Sequence, residues 1–241
     1  MRIGPGVHLI GAGSLGAAMS SLWDCNVYAV ERPTGEVWLI DAGVGHEPER
    51  LAAELAASGL TRVDTVLVTH GHLDHSGGAH WWRERFGAQI WAPAFTARAL
   101  AAGDEEAILL PMARRLRIYP ADFRYTACPV DRVLEPGESI GGGLRVIAAP
   151  GHAVDMVALL DEPSGILFST DALFYGGRIA YAAENPDASL ADYEQTLRSF
   201  NDYAWDALCP GHGIWVARNA RGHLTRALAA FDAGGVPANL E

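Results

Sequence analysis

Residues Thr69-His-Gly-His-Leu-Asp-His-Ser-Gly-Gly78 hold three histidines and an aspartate within six positions, the densest group of potential metal ligands in the chain. His70, His72 and Asp74 alternate, so an extended segment sets all three on one side, and His75 falls where the chain must turn. This spacing is not the i, i+4 pattern of two ligands on one helix face. It suits a loop at the end of a strand, with imidazoles and a carboxylate converging as zinc and related ions require.

Working outward, short apolar runs alternate with helical stretches. Residues 63–68 form a strand that delivers His70. Before it, residues 25–30 and 37–40 read as an antiparallel hairpin about a Pro/Gly turn, closed by Asp41-Ala-Gly43, and residues 47–60 as an amphipathic helix. After it come a helix over 79–86 stopped by Gly87, with Trp81 and Trp82 packing, and a strand over 89–91. Residues 94–130 break the alternation with helices expected at 95–102 and 104–117, an insertion that serves as a substrate lid or as packing.

Beyond the insertion, strands are expected at 144–149, 156–160, 166–168 and 207–212. A helix capped by Ser189 runs to about 200, and a last helix covers 220–231. His70, His152, Asp171 and His212 each fall just past the C-terminal end of a separate strand. Strands side by side would carry all four along one rim. There is no repeat and no linker, so one domain over residues 1–241 is the simplest count.

Gly11-Ala-Gly-Ser-Leu-Gly16 followed by Glu31 imitates a dinucleotide fingerprint. The hairpin expected next to it lacks the crossover helix of such a unit, so a glycine-rich loop is the better reading and a nucleotide-binding oxidoreductase the weaker alternative.

The formal charge of −11, with all 18 basic residues arginine, disfavours a nucleic-acid partner. No apolar run is long enough for a membrane span and no secretory signal is visible, so a cytoplasmic location is expected. Cys25, Cys128 and Cys209 are odd in number and scattered, as reduced thiols are.

The motifs His70-x-His72-x-Asp74-His75, Pro-Gly-His152, Ser-Thr-Asp171 and Pro-Gly-His212-Gly, taken with Asp41-Ala-Gly43, resemble the successive ligand motifs of the metallo-β-lactamase fold superfamily. The resemblance implies an α/β fold, an αββα sandwich of two mixed sheets packed face to face with helices on both outer faces. It also implies His70, His72 and His152 on one metal, Asp74, His75 and His212 on another, and Asp171 bridging. The shared Asp171 brings the chain closer to the glyoxalase II, lactonase and RNA-processing branches than to true β-lactamases, and the lack of a basic surface sets the RNA-processing branch aside.

Two divalent ions, zinc before iron or manganese, imply hydrolysis by a metal-bridging hydroxide with Asp74 as ligand and base. The expected substrate is a small ester, thioester or lactone, with Tyr175 or Tyr181 donating to the oxyanion. The alternatives are a β-lactam or phosphodiester hydrolase, or a non-hydrolytic metal-binding protein. The oligomeric state is not legible.

Overall fold

The computed structural model describes residues 1–240, in two compact units that meet in sequence at Leu134 and Glu135. The first unit carries a seven-stranded sheet: β1 (Arg2–Gly4), β2 (Val7–Gly11), β3 (Val27–Glu31), β4 (Val37–Ile40), β5 (Thr65–Leu67), β6 (Gln89–Ala92) and β7 (Arg132–Val133), in that spatial order. From β1 to β4 every pairing is antiparallel, and from β4 to β7 every pairing is parallel.

The switch follows from the connections. The hairpin between β3 and β4 turns at Arg32-Pro-Thr-Gly35, closed by Gly35 N–H donating to the Arg32 carbonyl at 2.9 Å. Parallel neighbours need a crossover, and each has one. Helix α1 (Pro48–Ala57) joins β4 to β5. The single turn α2 (Leu73–Ser76) and helix α3 (Ala79–Phe86) join β5 to β6, and α4 (Ala94–Ala102) with α5 (Leu110–Arg115) joins β6 to β7. Leu51 and Leu55 of α1, Trp82 of α3 and Leu100 of α4 bury against Leu39, Val66 and Ile90 of the sheet.

The hairpin, α1, α3 and α4 match the sequence reading, and Gly87 ends α3 in the left-handed region at φ 70°. Two expectations fail. The helix predicted over 104–117 shrinks to α5: Leu109 sits at φ 57°, and Pro111, lacking an N–H, is tolerated only in the first turn of a helix. The extended loop expected through Asp74 gives way at Leu73, so Asp74 and His75 stand on the single turn α2 and not on an extended segment. Residues 12–26 contain no helix, and β2 pairs antiparallel with β3, which removes the crossover that a dinucleotide unit requires.

The second unit carries a five-stranded sheet in the order β12-β11-β10-β9-β8: β8 (Ser139–Ile140), β9 (Leu144–Ala148), β10 (Val157–Asp161), β11 (Ile166–Thr170) and β12 (Ala207–Pro210). Only β11 and β12 pair in parallel, and helix α6 (Leu190–Ser199) lies in their crossover. Ser189 caps α6 as expected, its hydroxyl accepting from Asp192 N–H at 3.2 Å. Helix α7 (Arg221–Asp232) closes the fold, and Leu224 joins Leu160, Leu167, Tyr193, Leu197 and Phe200 in this unit's core. Among the described residues, no helix is long and apolar enough to cross a membrane.

Candidate metal centre

In the first unit the ligand-type residues start three positions after β5 and end within α2. The loop is held by Asp41, which is 1% exposed and stands at φ 63°, a left-handed conformation that Asp adopts more readily than most residues. Asp41 Oδ1 accepts the Thr69 amide at 2.8 Å, and Oδ2 accepts the Thr69 hydroxyl at 3.1 Å and His75 Nδ1–H at 2.8 Å. With its own proton committed to Asp41, the Thr69 hydroxyl accepts from His70 Nδ1–H at 3.1 Å. One buried carboxylate therefore fixes two imidazoles, His70 through Thr69 and His75 directly.

Both rings then carry their lone pair on Nε2, the tautomer that a metal ligand needs. His70 Nε2 lies 3.2 Å from His72 Nδ1, and His75 Nε2 lies 3.5 Å from Asp74 Oδ2. The glycines that end the motif are demanded by close approach: a Cβ on Gly77 would sit 2.2 Å from the Val44 carbonyl oxygen, and one on Gly78 the same distance from that of Ala42. Cys25, Asp41 and His75 also form a tight group, but His75 turns the nitrogen that donates to Asp41 toward it, so this group supports the candidate ligands. Burial pushes the Cys25 thiol well up.

The insertion contributes a residue that the sequence reading passed over. The Tyr119 hydroxyl donates to Asp74 Oδ1 at 2.7 Å. Burial, with the Asp74 charge beside it, holds the phenol well above its ordinary range, so it is the donor in this pair. Nothing local in the sequence marks Tyr119, which lies 45 positions from Asp74. Asp41 had a local signal in its Asp-Ala-Gly motif, which was read as the end of a strand.

In the second unit, Asp171 follows directly on β11, after Thr170 at φ 46° turns the chain. Its Oδ2 lies 3.4 Å from His152 Nε2 and 3.5 Å from His212 Nε2. His152 Nδ1–H donates to the Ala180 carbonyl at 2.7 Å, which again leaves the Nε2 lone pair facing the carboxylate. Tyr193 braces the turn from α6, its hydroxyl within 2.6 Å of the Asp171 carbonyl and 3.0 Å of that of Ala180, and its phenol is pushed well up by burial. Tyr175 is exposed, with its ring 4.7 Å from that of His223, and Tyr181 packs half-buried on this unit's core.

The donor chemistry fits divalent ions. In each unit an imidazole lone pair and a carboxylate oxygen face each other at 3.4 to 3.5 Å, an approach that repels in a neutral pair and becomes favourable when both address one cation. Imidazole and carboxylate suit zinc, iron and manganese alike.

The family profile described as the metallo-beta-lactamase superfamily matches residues 21–212. The atrochrysone carboxyl ACP thioesterase of Aspergillus fumigatus is 29% identical over 74% of this chain, which spans about half (47%) of that protein. A hydroxyacylglutathione hydrolase of Haemophilus influenzae is 28% identical over 71% of this chain and 78% of its own length. Among solved structures, a protein crystallised in a di-iron-bound form is 27% identical with a TM-score of 0.66, covering 82% of this chain and 92% of that one. The sheets, the crossovers and the profile agree on the fold class read from the motifs, and the chain belongs to the metallo-beta-lactamase superfamily.

Proposed function

We propose that the protein is a metal-dependent hydrolase of small acyl thioesters, with related esters and lactones as weaker substrates. His70, His72 and His152 would hold one divalent ion, Asp74, His75 and His212 a second, and Asp171 would be shared. The observation that carries this reading is the fixed tautomers of His70, His75 and His152, each with Nδ1 engaged by Thr69, Asp41 or the Ala180 carbonyl, so that Nε2 is the ligating atom. The thioesterase and the hydroxyacylglutathione hydrolase among the relatives favour a thioester over a β-lactam or phosphodiester.

When bound, two divalent ions supply a hydroxide nucleophile at neutral pH and polarise the acyl oxygen. The chain's own residues do the rest. Asp74, held by Tyr119, would orient the nucleophile as it holds its ion. The rings of Trp23, His46 and Phe123 pack beside a cavity of about 210 Å³ lined by Val44, Gly45, His46, Asp122, Phe123 and Arg124, a mostly polar recess with Phe123 as its one aromatic wall, which would receive part of a small substrate. No step requires Tyr175 or Tyr181.

The test is elemental analysis for zinc, iron and manganese after reconstitution, followed by a panel of thioesters, esters, lactones, β-lactams and phosphodiesters. Two ions per chain with thioester turnover is the expected result. Turnover of β-lactams or phosphodiesters with none of any acyl substrate removes the substrate assignment, and one ion or fewer removes the two-ion centre.

A further inference from the structure

Asp74 presents its two oxygens to different neighbours. Oδ1 accepts from the Tyr119 hydroxyl at 2.7 Å, and Oδ2 faces His75 Nε2 at 3.5 Å. A carboxylate without such a partner can offer a cation one oxygen or both, and rotation about its last bond exchanges them. A short O–H···O⁻ bond, about twice as strong as a neutral one, removes that freedom by engaging one oxygen.

The phenol is itself aimed by its surroundings. Tyr119 stacks on Phe123 with ring centres 6.0 Å apart and planes within 15°. Phe123 stacks in turn on His46 at 4.9 Å and meets Trp23 edge-on at 5.0 Å. Arg114 anchors the same segment, pairing with Glu105 at 2.7 and 2.9 Å and donating to the Phe123 carbonyl at 2.9 Å.

We propose that Tyr119 is a positioning residue that holds Asp74 as a one-oxygen ligand, Oδ2 toward the ion shared with His75 and Oδ1 kept off it. The 94–130 insertion thereby sets the affinity of one metal position as well as walling the pocket. The proposal rests on Asp74 being a ligand, as in the function proposed above. It goes further by making an insertion residue, outside every ligand motif, responsible for how that ligand binds.

Tyr119→Phe removes the hydroxyl and keeps the ring and its stacking. Chelator competition with zinc alone, on wild type and variant, reads the two affinities without any substrate. We expect one affinity to fall about 10- to 100-fold, the range for loss of a partner of a metal ligand, with the other unchanged. In steady state, kcat should fall by a similar factor with KM within about twofold, the signature of a lost interaction at the reacting centre and not of lost substrate binding.

Phe123→Leu, which loosens the stacking but leaves the hydroxyl, should lower the same affinity by less. Two unchanged affinities in Tyr119→Phe overturn the proposal, and so does an equal loss of both accompanied by a lower denaturation midpoint, which marks a structural role. Two ions in a wild type that hydrolyses nothing would sink the hydrolase reading while the affinity comparison still decides the role of Tyr119.

Discussion

Replacing Asp41 by Asn probes the support beneath the histidines without touching a candidate ligand. Asn tolerates the left-handed backbone at φ 63°, so the change is confined to chemistry. The three groups around the carboxylate, the Thr69 amide, the Thr69 hydroxyl and His75 Nδ1–H, all donate at 2.8 to 3.1 Å. An amide has one oxygen, so either orientation points an NH₂ at a buried donor. With the oxygen on the Thr69 amide, His75 loses its acceptor. It must then bury an unsatisfied N–H or move the proton to Nε2, where no lone pair remains for a metal.

A hydrogen bond to a charged group contributes about 1.5–3 kcal/mol, and an orphaned buried donor costs about 1–3 kcal/mol. Some relaxation is available, so the metal-free variant should lose about 2–4 kcal/mol in urea denaturation with chelator present. Zinc affinity should fall about 10- to 100-fold. Asp41→Ala should be worse, since it removes all three acceptor contacts and adds strain at positive φ. A stability within about 0.5 kcal/mol of wild type together with unaltered zinc affinity would refute the assignment of Asp41 as the residue that sets the tautomers.

Asp171→Ala should reduce bound metal more than alanine at any single histidine, because one oxygen faces both His152 and His212 at 3.4 and 3.5 Å; a variant that keeps two ions by elemental analysis contradicts a shared role. Gly151→Ala should destabilise by about 3 kcal/mol or more, since φ is +131° and the new Cβ would lie 2.7 Å from the Tyr193 backbone; a denaturation midpoint equal to wild type would show that this approach is not tight. Burial raises the Cys128 thiol to about 11 and Cys25 and Cys209 further, so all three should resist a thiol reagent at pH 8 and react on unfolding. Fast labelling of any one in the native protein would contradict its burial.

The candidate ligand residues were legible because their chemistry is carried in short words of sequence placed at strand ends. His152 follows β9, Asp171 follows β11 and His212 follows β12, as the apolar runs predicted. The break at Leu73 was missed because four residues are too few to show a helical period, and strict alternation of His70, His72 and Asp74 mimics a strand. The shortening of the helix expected over 104–117 was written in Pro111, whose missing N–H confines it to a first turn.

The contacts of Asp41 with Thr69 and His75 and of Tyr119 with Asp74 were beyond reach for a different reason. They join residues 28 to 45 positions apart, and a side chain's type says that it can accept or donate, not to whom.

After its first strand, every strand of the seven-stranded sheet pairs with the strand before it in the chain, and the same holds for the five-stranded one. Neither sheet waits for a late segment to be inserted between two earlier strands. On the ribosome the first sheet has all its partners once residue 134 has emerged, and at about 5–20 residues per second the 78 further residues to His212 occupy roughly 4–16 s. That interval exceeds the millisecond-to-second folding of domains rich in non-local pairings. Asp41 should therefore have gathered Thr69, His70 and His75 before His212 emerges. A nascent chain arrested after residue 134 has cleared the ribosome should resist limited proteolysis over residues 1–134, and uniform cleavage there would show that the first sheet needs the rest of the chain.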